Sequence, residues 1–506
     1  MTDERLFAFK RLTIEHIWCL TVLVGIFAFV NTHPIRPQDF WWHLAVGREI
    51  LTTGVIPTVD TFSYTAIGQP YLSYQMFWLM EVLMYGIYHL GGAALVLLAH
   101  SLVITGAYTL ITIMCWKIAG NGRAAAMGTL FAAALGLNDW NVRPQGVTFL
   151  LGALIIWAIY QLRTTGRFTA VPRRYGWLLV FPLVMAVWVN SHGTFAIGII
   201  FIGVWLLEEF LALGRSVIPG LLALLLSCLA CLFNPRGLGI IAYLSGMASN
   251  PIIQNLVPEW APPTFNTLDG ALFLGGLLLS AAVLAISPRR PSPGQLISFI
   301  GFAALGLKTS RGEVWFGLVM APILADHLTA IASHGRFLSA ISRRGQTPQG
   351  QLPALWINWI LAGLLLLMAF VSLPWFKESL PYPPPKVGLI STETPVLATR
   401  FLVAHNLPRP IFHAMSFGSY LIWMAQPDYK VFVDSRLELY APRTWQDYIE
   451  ISNAQNNWEE RLETYGIQTL MLSPTEQLSL IQSASVSSNW QQVYADKAAV
   501  IFVRLP

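Results

Sequence analysis

The fold is decided around residues 38–64, which read QDFWWHLAVGREILTTGVIPTVDTFSY and follow the first hydrophobic segment. The stretch places Asp39, His43 and Asp60 within a run of aromatic side chains. Aromatic rings that are apolar at one end and polar at the other collect where a membrane meets water. Ionisable side chains are costly there unless the loop faces water or the groups have a function. The stretch therefore indicates either a solvated loop or a lipid-facing active site at the membrane surface.

The composition of the whole chain is that of an integral membrane protein. Its 506 residues are 55% hydrophobic and 11% charged, and the mean hydropathy is +0.56. Soluble globular chains carry roughly a quarter charged residues. The net charge of +5 indicates basic cytosolic loops and not a nucleic-acid surface. The four cysteines lie in or beside apolar segments, so neither a disulfide framework nor a redox or metal site is expected from them.

About eleven apolar runs have the length and composition of membrane-spanning helices. They lie near residues 14–31, 93–116, 124–138, 146–162, 176–190, 195–213, 217–233, 269–287, 294–309, 314–333 and 354–374. Residues 73–91 are also apolar, but they carry Glu81 and His89 beside the aromatic residues. We therefore predict that this segment is a helix lying in the membrane interface, within a first outer loop of residues 32–92.

The charges sort the connecting loops into two sets. With the N-terminus in the cytosol, every basic cluster falls on the cytosolic side, as the positive-inside rule requires. These residues are Lys10, Arg11, Lys117, Arg123, Arg163, Arg167, Arg173, Arg174, Arg215, Arg289, Arg290, Arg336, Arg343 and Arg344. The opposite, outer set holds the first loop, NDWNVRPQ (138–145), WVNSHG (188–193), NPRG (234–237), residues 238–268 and KTSRGE (308–313). The outer face is therefore the predicted place of any chemistry.

A separate α/β domain is predicted to follow the membrane domain of residues 1–374. The segment PYPPPK at 381–386 indicates a stiff connector within residues 375–386. Residues 387–506 are predicted to form a soluble domain on the outer side. Its predicted strands are 411–415, 429–433, 468–472 and 499–504, and its predicted helices are 419–424, 443–465 and 475–484. It has no glycine-rich nucleotide-binding motif.

These motifs resemble those of the GT-C superfamily of membrane glycosyltransferases, in particular its bacterial branch similar to protein mannosyltransferases and lipid A sugar transferases. The likeness consists of an acid after the first span (Asp39), the segment G-x-I-P-x-x-D-x-F-S-Y-T at 54–65, an acid-bearing aromatic helix (Trp78, Glu81) and the outer loop with Asp139 and Arg143. It implies a polytopic α-helical fold with a C-terminal extracytoplasmic α/β domain. It also implies a bacterial inner-membrane enzyme that moves a sugar from a polyprenyl-phosphate donor to an acceptor hydroxyl at the outer face.

The resemblance assigns roles to several outer residues. Asp39 is the candidate general base, because the attacking hydroxyl must lose its proton to a carboxylate within hydrogen-bond reach. The alternative role of Asp39 is to cap an interfacial helix. Cations are needed where charge develops on the leaving phosphate. The candidates are Arg143, Arg311, Arg236, Lys308 and His192, and each arginine could instead anchor a lipid headgroup.

Two further sets of residues are open to more than one interpretation. Some relatives bind Mg or Mn through acids of the outer loops, so His43, Asp60 and Asp139 are candidate metal or substrate ligands. No DxD motif occurs there, and a hydrogen-bonded histidine is the more common case. In the C-terminal domain, Asp434 and Arg436 follow a predicted strand and are candidate acceptor contacts. The alternative is an internal ion pair, Asp434–Arg436 or Arg436–Glu438, that holds the domain to the membrane face.

Other classes of membrane protein remain as alternatives. A transporter or flippase would show inverted repeats and charges near mid-membrane, whereas the ionisable residues of this chain cluster at one face. A lipid-linked glycan polymerase would use arginines on the same face, and a non-catalytic scaffold is the remaining alternative. The sequence favours a glycosyltransferase and leaves the sugar, the prenyl chain and the acceptor open.

Overall fold

The computed structural model describes residues 12–165, 176–213, 217–249, 258–334, 355–379, 388–455 and 457–506. The predicted connector PYPPPK lies outside the described residues, as do the basic residues at 10, 11, 167, 173, 174, 215, 336, 343 and 344. The membrane part is helical. Its helices are α1 (Ile14–Thr32), α2 (Phe40–Thr53), α3 (Tyr74–Ala119), α4 (Gly122–Gly136), α5 (Gly146–Thr165), α6 (Val180–Val189), α7 (Ala196–Leu213), α8 (Ile218–Ala230), α9 (Gly239–Ser249), α10 (Leu268–Ile286), α11 (Pro293–Lys308), α12 (Glu313–His334) and α13 (Leu355–Val371).

Every apolar run that the sequence singles out forms a helix within the described residues. Six helical stretches there are long and apolar enough to cross a membrane: Ile14–Thr32, Tyr74–Ala119, Gly146–Thr164, Gly193–Leu211, Leu268–Ile286 and Ser310–His334. Shorter apolar helices occupy Gly176–Val189, Ile218–Ala230 and Trp356–Val371. The prediction of a polytopic α-helical membrane protein is confirmed, and the number of spans stays a prediction.

Helix α3 bends where the predicted interfacial helix ends. Gly91 and Gly92 have non-helical backbone angles, with φ of +65° at Gly92, a conformation that glycine adopts without steric cost. The arm before the bend packs on α2 so closely that a Cβ at Gly47 would lie 2.1 Å from the carbonyl oxygen of Glu81. The bend therefore lets one continuous helix support the first outer loop and then enter the bundle.

Small residues bring α4 and α12 together in the middle of the bundle. A Cβ at Gly128 of α4 would lie 2.7 Å from the carbonyl oxygen of Ala321, and one at Gly317 of α12 would lie 3.2 Å from Ala132. Membrane helices associate through such close backbone contact, because lipid offers no hydrophobic driving force between them. This contact fixes the ends of α4 and α12, whose neighbouring loops carry Arg143 and Arg311.

The C-terminal residues form a small mixed sheet covered by helices. Its elements are α14 (Val396–Ala404), β1 (Ile411–His413), α15 (Met415–Met424), α16 (Pro442–Ser452), α17 (Trp458–Thr464), β2 (Thr469–Leu472), α18 (Leu478–Val486), β3 (Trp490–Ala495) and β4 (Val500–Arg504). The strand order is β1-β2-β4-β3, with β1 parallel to β2 and the other neighbours antiparallel. The predicted α/β class is confirmed.

Several details of this domain differ from the sequence prediction. Residues 429–433 are not a strand of the sheet, because Val431 pairs instead with Ser63 of the first outer loop. The predicted helix 443–465 is two helices, α16 and α17, separated by a turn in which Ala454 has a positive φ. The sequence prediction also missed α14 and β3; in β3 only the first of the six residues is buried, so the strand has no buried apolar face to mark it.

Candidate active site

A cavity of about 440 Å³ lies between the membrane helices and the C-terminal domain. The segment at 36–40 forms one wall, and the loop at 138–143 forms a second wall. Glu259 and Arg311 come from two further outer loops, and the C-terminal domain contributes Met415, Ser435 and Leu437. The predicted outer loops at 138–145, 238–268 and 308–313 therefore meet the first loop and the C-terminal domain at one end of the bundle.

Asp39 faces this cavity. It occupies the N-cap position of α2, yet its side chain makes no capping hydrogen bond. Its Oδ2 lies 3.7 Å from Nη1 of Arg143, and its side chain is 30% exposed. The capping alternative therefore describes the backbone position of Asp39, and its carboxylate is free to accept a proton from a group in the cavity.

Two arginines hold the carboxylate of Glu259 between them. Nη2 of Arg143 donates to Oε2 of Glu259 over 3.0 Å and lies 2.9 Å from Oε1. Nε of Arg311 donates to Oε2 over 2.9 Å, and its Nη2 lies 2.8 Å from the same oxygen. Burial raises the pKa of Glu259, but the two guanidinium charges outweigh it and lower the pKa to about 2. Arg143 and Arg311 thus form a site that binds an anion.

Asp139 lies behind Arg143. Its Oδ1 accepts a hydrogen bond of 3.1 Å from Nε2 of Gln145 and lies 3.9 Å from Nη2 of Arg143. Burial, and the nearby negative charge of Glu259, raise the pKa of Asp139 to about 7. Asp139 therefore changes its charge near neutral pH, directly beside one of the two arginines.

The other predicted phosphate contacts do not line the cavity. The guanidinium of Arg236 lies 5.4 Å from the ring centre of Tyr243. His192 contacts Thr194 through Nδ1, over 3.1 Å, at the start of the next helical turn. Lys308 is exposed at the end of α11. Arg143 and Arg311 are the two predicted phosphate contacts that the structure brings together at Asp39.

The predicted metal ligands lie in separate places. His43 pairs through Nδ1 with Oε1 of Glu81 over 2.9 Å, and Asp60 is ion-paired with Arg436 over 2.5 Å. Asp139 bonds with Gln145 instead. Within the described ranges, no group of three or more His, Cys, Asp and Glu side chains could hold a metal ion. These three residues therefore do not fit a shared Mg or Mn site, and we derive no step through a metal.

Asp434 and Arg436, the predicted acceptor contacts, are completely buried and bond to each other over 2.6 Å. Arg436 also pairs with Asp60 and contacts the hydroxyl of Tyr74, while Tyr440 donates to Asp434 over 2.6 Å. The cluster joins the C-terminal domain to the first outer loop. This arrangement matches the alternative interpretation from the sequence, an internal ion pair. Both side chains are buried, so an acceptor in solution does not reach them.

Three residues that line the cavity were not identified from the sequence: Ser435, Leu437 and Glu259. Ser435 and Leu437 line the cavity beside the buried Asp434 and Arg436, where a bend leads into a 3-10 turn at Leu437–Leu439. The hydroxyl of Ser435 donates to the carbonyl of Gln38 over 2.8 Å, next to Asp39. Glu259 was visible in the 238–268 loop, but nothing in the sequence paired it with two arginines.

Comparisons with known proteins rest on structure alone. No family model matches the chain, and no curated protein matches it. The apo crystal structure of ArnT from Cupriavidus metallidurans superposes with a TM-score of 0.54 and 15% identity, over 97% of each chain. The same protein bound to undecaprenyl phosphate gives 0.49 and 12%, over 97% of this chain and 98% of ArnT.

A third structure, the Archaeoglobus fulgidus oligosaccharyltransferase in complex with Zn and sulfate, superposes with a TM-score of 0.48 and 13% identity. The alignment covers 95% of this chain and 73% of that one. The likeness to apo ArnT spans nearly the whole chain, including the membrane helices and the C-terminal domain, and it shows the fold. The resemblance predicted from the outer-loop motifs is confirmed at the level of the fold: this chain is an integral membrane protein that shares the fold of ArnT.

Proposed function

We propose that the protein transfers a sugar from a polyprenyl-phosphate-linked donor to an acceptor hydroxyl in the cavity at Asp39. The observation that carries the proposal is the meeting of Asp39, Arg143 and Arg311 around one cavity, although the chain separates them widely. A carboxylate beside a pair of guanidinium groups supplies both a proton acceptor and a site for a phosphate. The GT-C fold supports this class of reaction by analogy.

In the proposed reaction, the acceptor oxygen attacks the anomeric carbon while the bond from that carbon to the phosphate oxygen breaks. The proton of the acceptor hydroxyl passes to Asp39, and the bonding electrons stay on the leaving polyprenyl phosphate. Attack on the face opposite the leaving group inverts the anomeric centre. The negative charge that develops on the phosphate is stabilised by Arg143 and Arg311, which are already oriented in the cavity.

An apolar groove supports the choice of a lipid-linked donor. A groove of about 540 Å³ runs between α1 and α4, from Trp18 and Arg123 to Trp140, and apolar side chains line most of it. The outward continuations of the same two helices, residues 36–40 and 138–143, form two walls of the polar cavity. We propose that a prenyl chain in this groove would present its phosphate to Arg143.

The proposed orientation follows from the charge pattern of the loops. The cavity end would face away from the cytosol, with the N-terminus inside and the C-terminal domain outside a bacterial plasma membrane. Cysteine labelling from the outer side of intact cells should reach a cysteine placed at half-buried Asn141, which lines the cavity, and miss one placed at position 167. Labelling of 167 and protection of 141 would reverse the topology.

The variant Asp39→Asn tests the function. With purified protein and a panel of undecaprenyl-phosphate sugars, we expect turnover to fall by about 10²- to 10⁴-fold, the usual contribution of a general base. The exposed residue Asp428 provides a matched control, because Asp428→Asn removes an equal charge far from the cavity. Full turnover by the folded Asp39→Asn protein would overturn the proposed role, and binding of the intact donor without any transfer would favour a flippase.

A further inference from the structure

The carboxylate of Glu259 occupies the two arginines that the proposed function assigns to the donor phosphate. We propose that Glu259 is an internal competitor of that phosphate: it leaves Arg143 and Arg311 when the lipid donor binds, and it returns to displace the polyprenyl phosphate product. The inference rests on the proposed function, and it adds a residue that governs binding and release without touching the reacting bond.

The hydrogen bonds show why the two anions compete. Nη2 of Arg143 and both Nε and Nη2 of Arg311 are directed at Glu259, at 2.8 to 3.0 Å. Guanidinium groups recognise carboxylates and phosphates through the same fork of N–H donors. A phosphate that makes these bonds must take the place of the Glu259 carboxylate, because each N–H donates along one direction.

The charges at the cavity point the same way. Arg36, Arg143 and Arg311 give the cavity three positive charges and Asp39 and Glu259 give two negative ones, and Arg143 and Arg311 are the cations paired with Glu259. A sugar-linked phosphodiester adds one negative charge, and the product phosphate carries more. While Glu259 is paired with Arg143 and Arg311, the two guanidinium groups lower its pKa to about 2 and keep it charged. If Glu259 stayed in place, two anions would share one pair of cations in a largely buried site.

The turn at Glu259 is bound to the loop of Arg311 by contacts that do not involve the Glu259 carboxylate. The carbonyl of Glu259 accepts from Thr309 Oγ1 over 2.7 Å, and Ser310 N donates to the carbonyl of Ala261 over 3.1 Å. These bonds tie the Glu259 turn to the Arg311 loop. The guanidinium of Arg311 also lies 5.3 Å from the ring centre of Trp260. Arg311 is therefore held by groups other than Glu259, and the exchange requires only rotation of one carboxylate that is 23% exposed.

The test measures the binding of undecaprenyl phosphate to the purified full-length protein in detergent, with wild type compared to Glu259→Gln. The proposal predicts that Glu259→Gln binds the lipid about tenfold more tightly or better, since a charge-assisted competitor has been removed. In steady-state turnover, the same variant should show a lower KM for the lipid donor and a lower kcat, because product release slows. Unchanged or weaker binding would overturn the proposal and make Glu259 a residue that merely positions the arginines.

Asp269→Asn is the matched control. Asp269 accepts a hydrogen bond of 3.3 Å from Asn138 at the rim of the cavity and does not contact either arginine in the described contacts. Asp269→Asn removes one negative charge near the site, as Glu259→Gln does. If both variants bound undecaprenyl phosphate equally more tightly than wild type, the loss of any nearby negative charge would explain the effect, and the competitor role would be overturned. If neither wild type nor Glu259→Gln binds undecaprenyl phosphate, the proposed function itself fails. Binding by wild type without tightening in Glu259→Gln refutes the competitor alone.

Discussion

Two clusters of arginine and carboxylate groups lie near each other in this protein and differ in what surrounds them. In the first, Arg436 is held by Asp60 and Asp434, and all three side chains are completely buried. In the second, Arg143 and Arg311 hold Glu259 at the wall of a cavity of about 440 Å³. The chemistry of the pairs is the same, so the presence of space for a ligand separates a structural cluster from a candidate active site.

The largest effect should come from breaking the buried cluster. Arg436→Ala leaves Asp60 and Asp434 uncompensated in a dry site, and the removal of one partner of a buried ion pair costs about 3–5 kcal/mol. We expect a large loss of thermal stability. We also expect easier proteolysis at the contact between the first outer loop and the C-terminal domain. Arg409→Ala is the control, because the Arg409–Asp428 pair is solvent-exposed and should contribute about 0–1 kcal/mol. Equal melting temperatures of the two variants would contradict this assignment.

Breaking the cavity cluster should change activity more than stability. Arg143→Gln removes one stabilising donor of the leaving phosphate, which typically lowers kcat by about 10²–10³-fold. The carboxylates left behind can be solvated from the cavity, so the melting temperature should fall less than in Arg436→Ala. Turnover and melting temperature of the two purified variants give the comparison. If Arg143→Gln melted at as low a temperature as Arg436→Ala but kept its turnover, both clusters would have a structural role and neither would be catalytic.

Filling the apolar groove should weaken donor binding alone. A Cβ at Gly25 of α1 meets nothing within 4 Å, so Gly25→Phe places a ring in the groove without an internal clash. We expect KM for the lipid donor to rise about tenfold, as the prenyl chain loses apolar contact. Gly275 of α10 is equally open and lies outside the groove, which makes Gly275→Phe the control. A similar KM in both variants would place the prenyl chain elsewhere.

The smallest effect should be a pH dependence set by Asp139. With its pKa raised to about 7, Asp139 is neutral below that pH and becomes an anion beside Arg143 above it. Because the second ionisation of the lipid phosphate affects both proteins equally, the wild type should lose affinity for undecaprenyl phosphate a few-fold relative to Asp139→Asn between pH 6 and pH 8. An equally steep profile in Asp139→Asn would assign the titration to another group.

The raised pKa of Asp139 also predicts the direction in which the stability of the protein changes with pH. The folded protein keeps a proton on Asp139 that the unfolded chain, with an ordinary pKa of 3.8, has already released. The contribution of this group to stability is therefore present at low pH and is lost as the pH rises from about 4 to about 7. Measurement of unfolding over that window in wild type and Asp139→Asn isolates the contribution. A wild type that gains stability relative to Asp139→Asn as the pH rises would contradict the assigned direction.

Local sequence patterns did not predict which residues of the C-terminal domain contact the cavity or the first outer loop. Residues 434–437 stand together in the sequence, but the sequence does not say which of their side chains face the cavity. Asp434 and Arg436 looked like ligand contacts because they are charged, whereas Ser435 and Leu437 line the cavity. Likewise, residues 429–433 have the composition of a strand and pair with the first outer loop instead of the sheet. In both cases the deciding partner lies several hundred residues away.

The sequence by itself determined the membrane class and the helical segments, because apolar length acts locally along the chain, and its charge pattern grouped the loops that are predicted to be outer. It also singled out Asp39, Arg143 and Arg311. The tertiary structure alone decided that Arg143 meets Glu259, 116 residues further along, and that Arg436 meets Asp60, 376 residues before it. Such pairings depend on how helices and domains pack, and packing also decides whether a paired charge is sealed off or left facing a cavity.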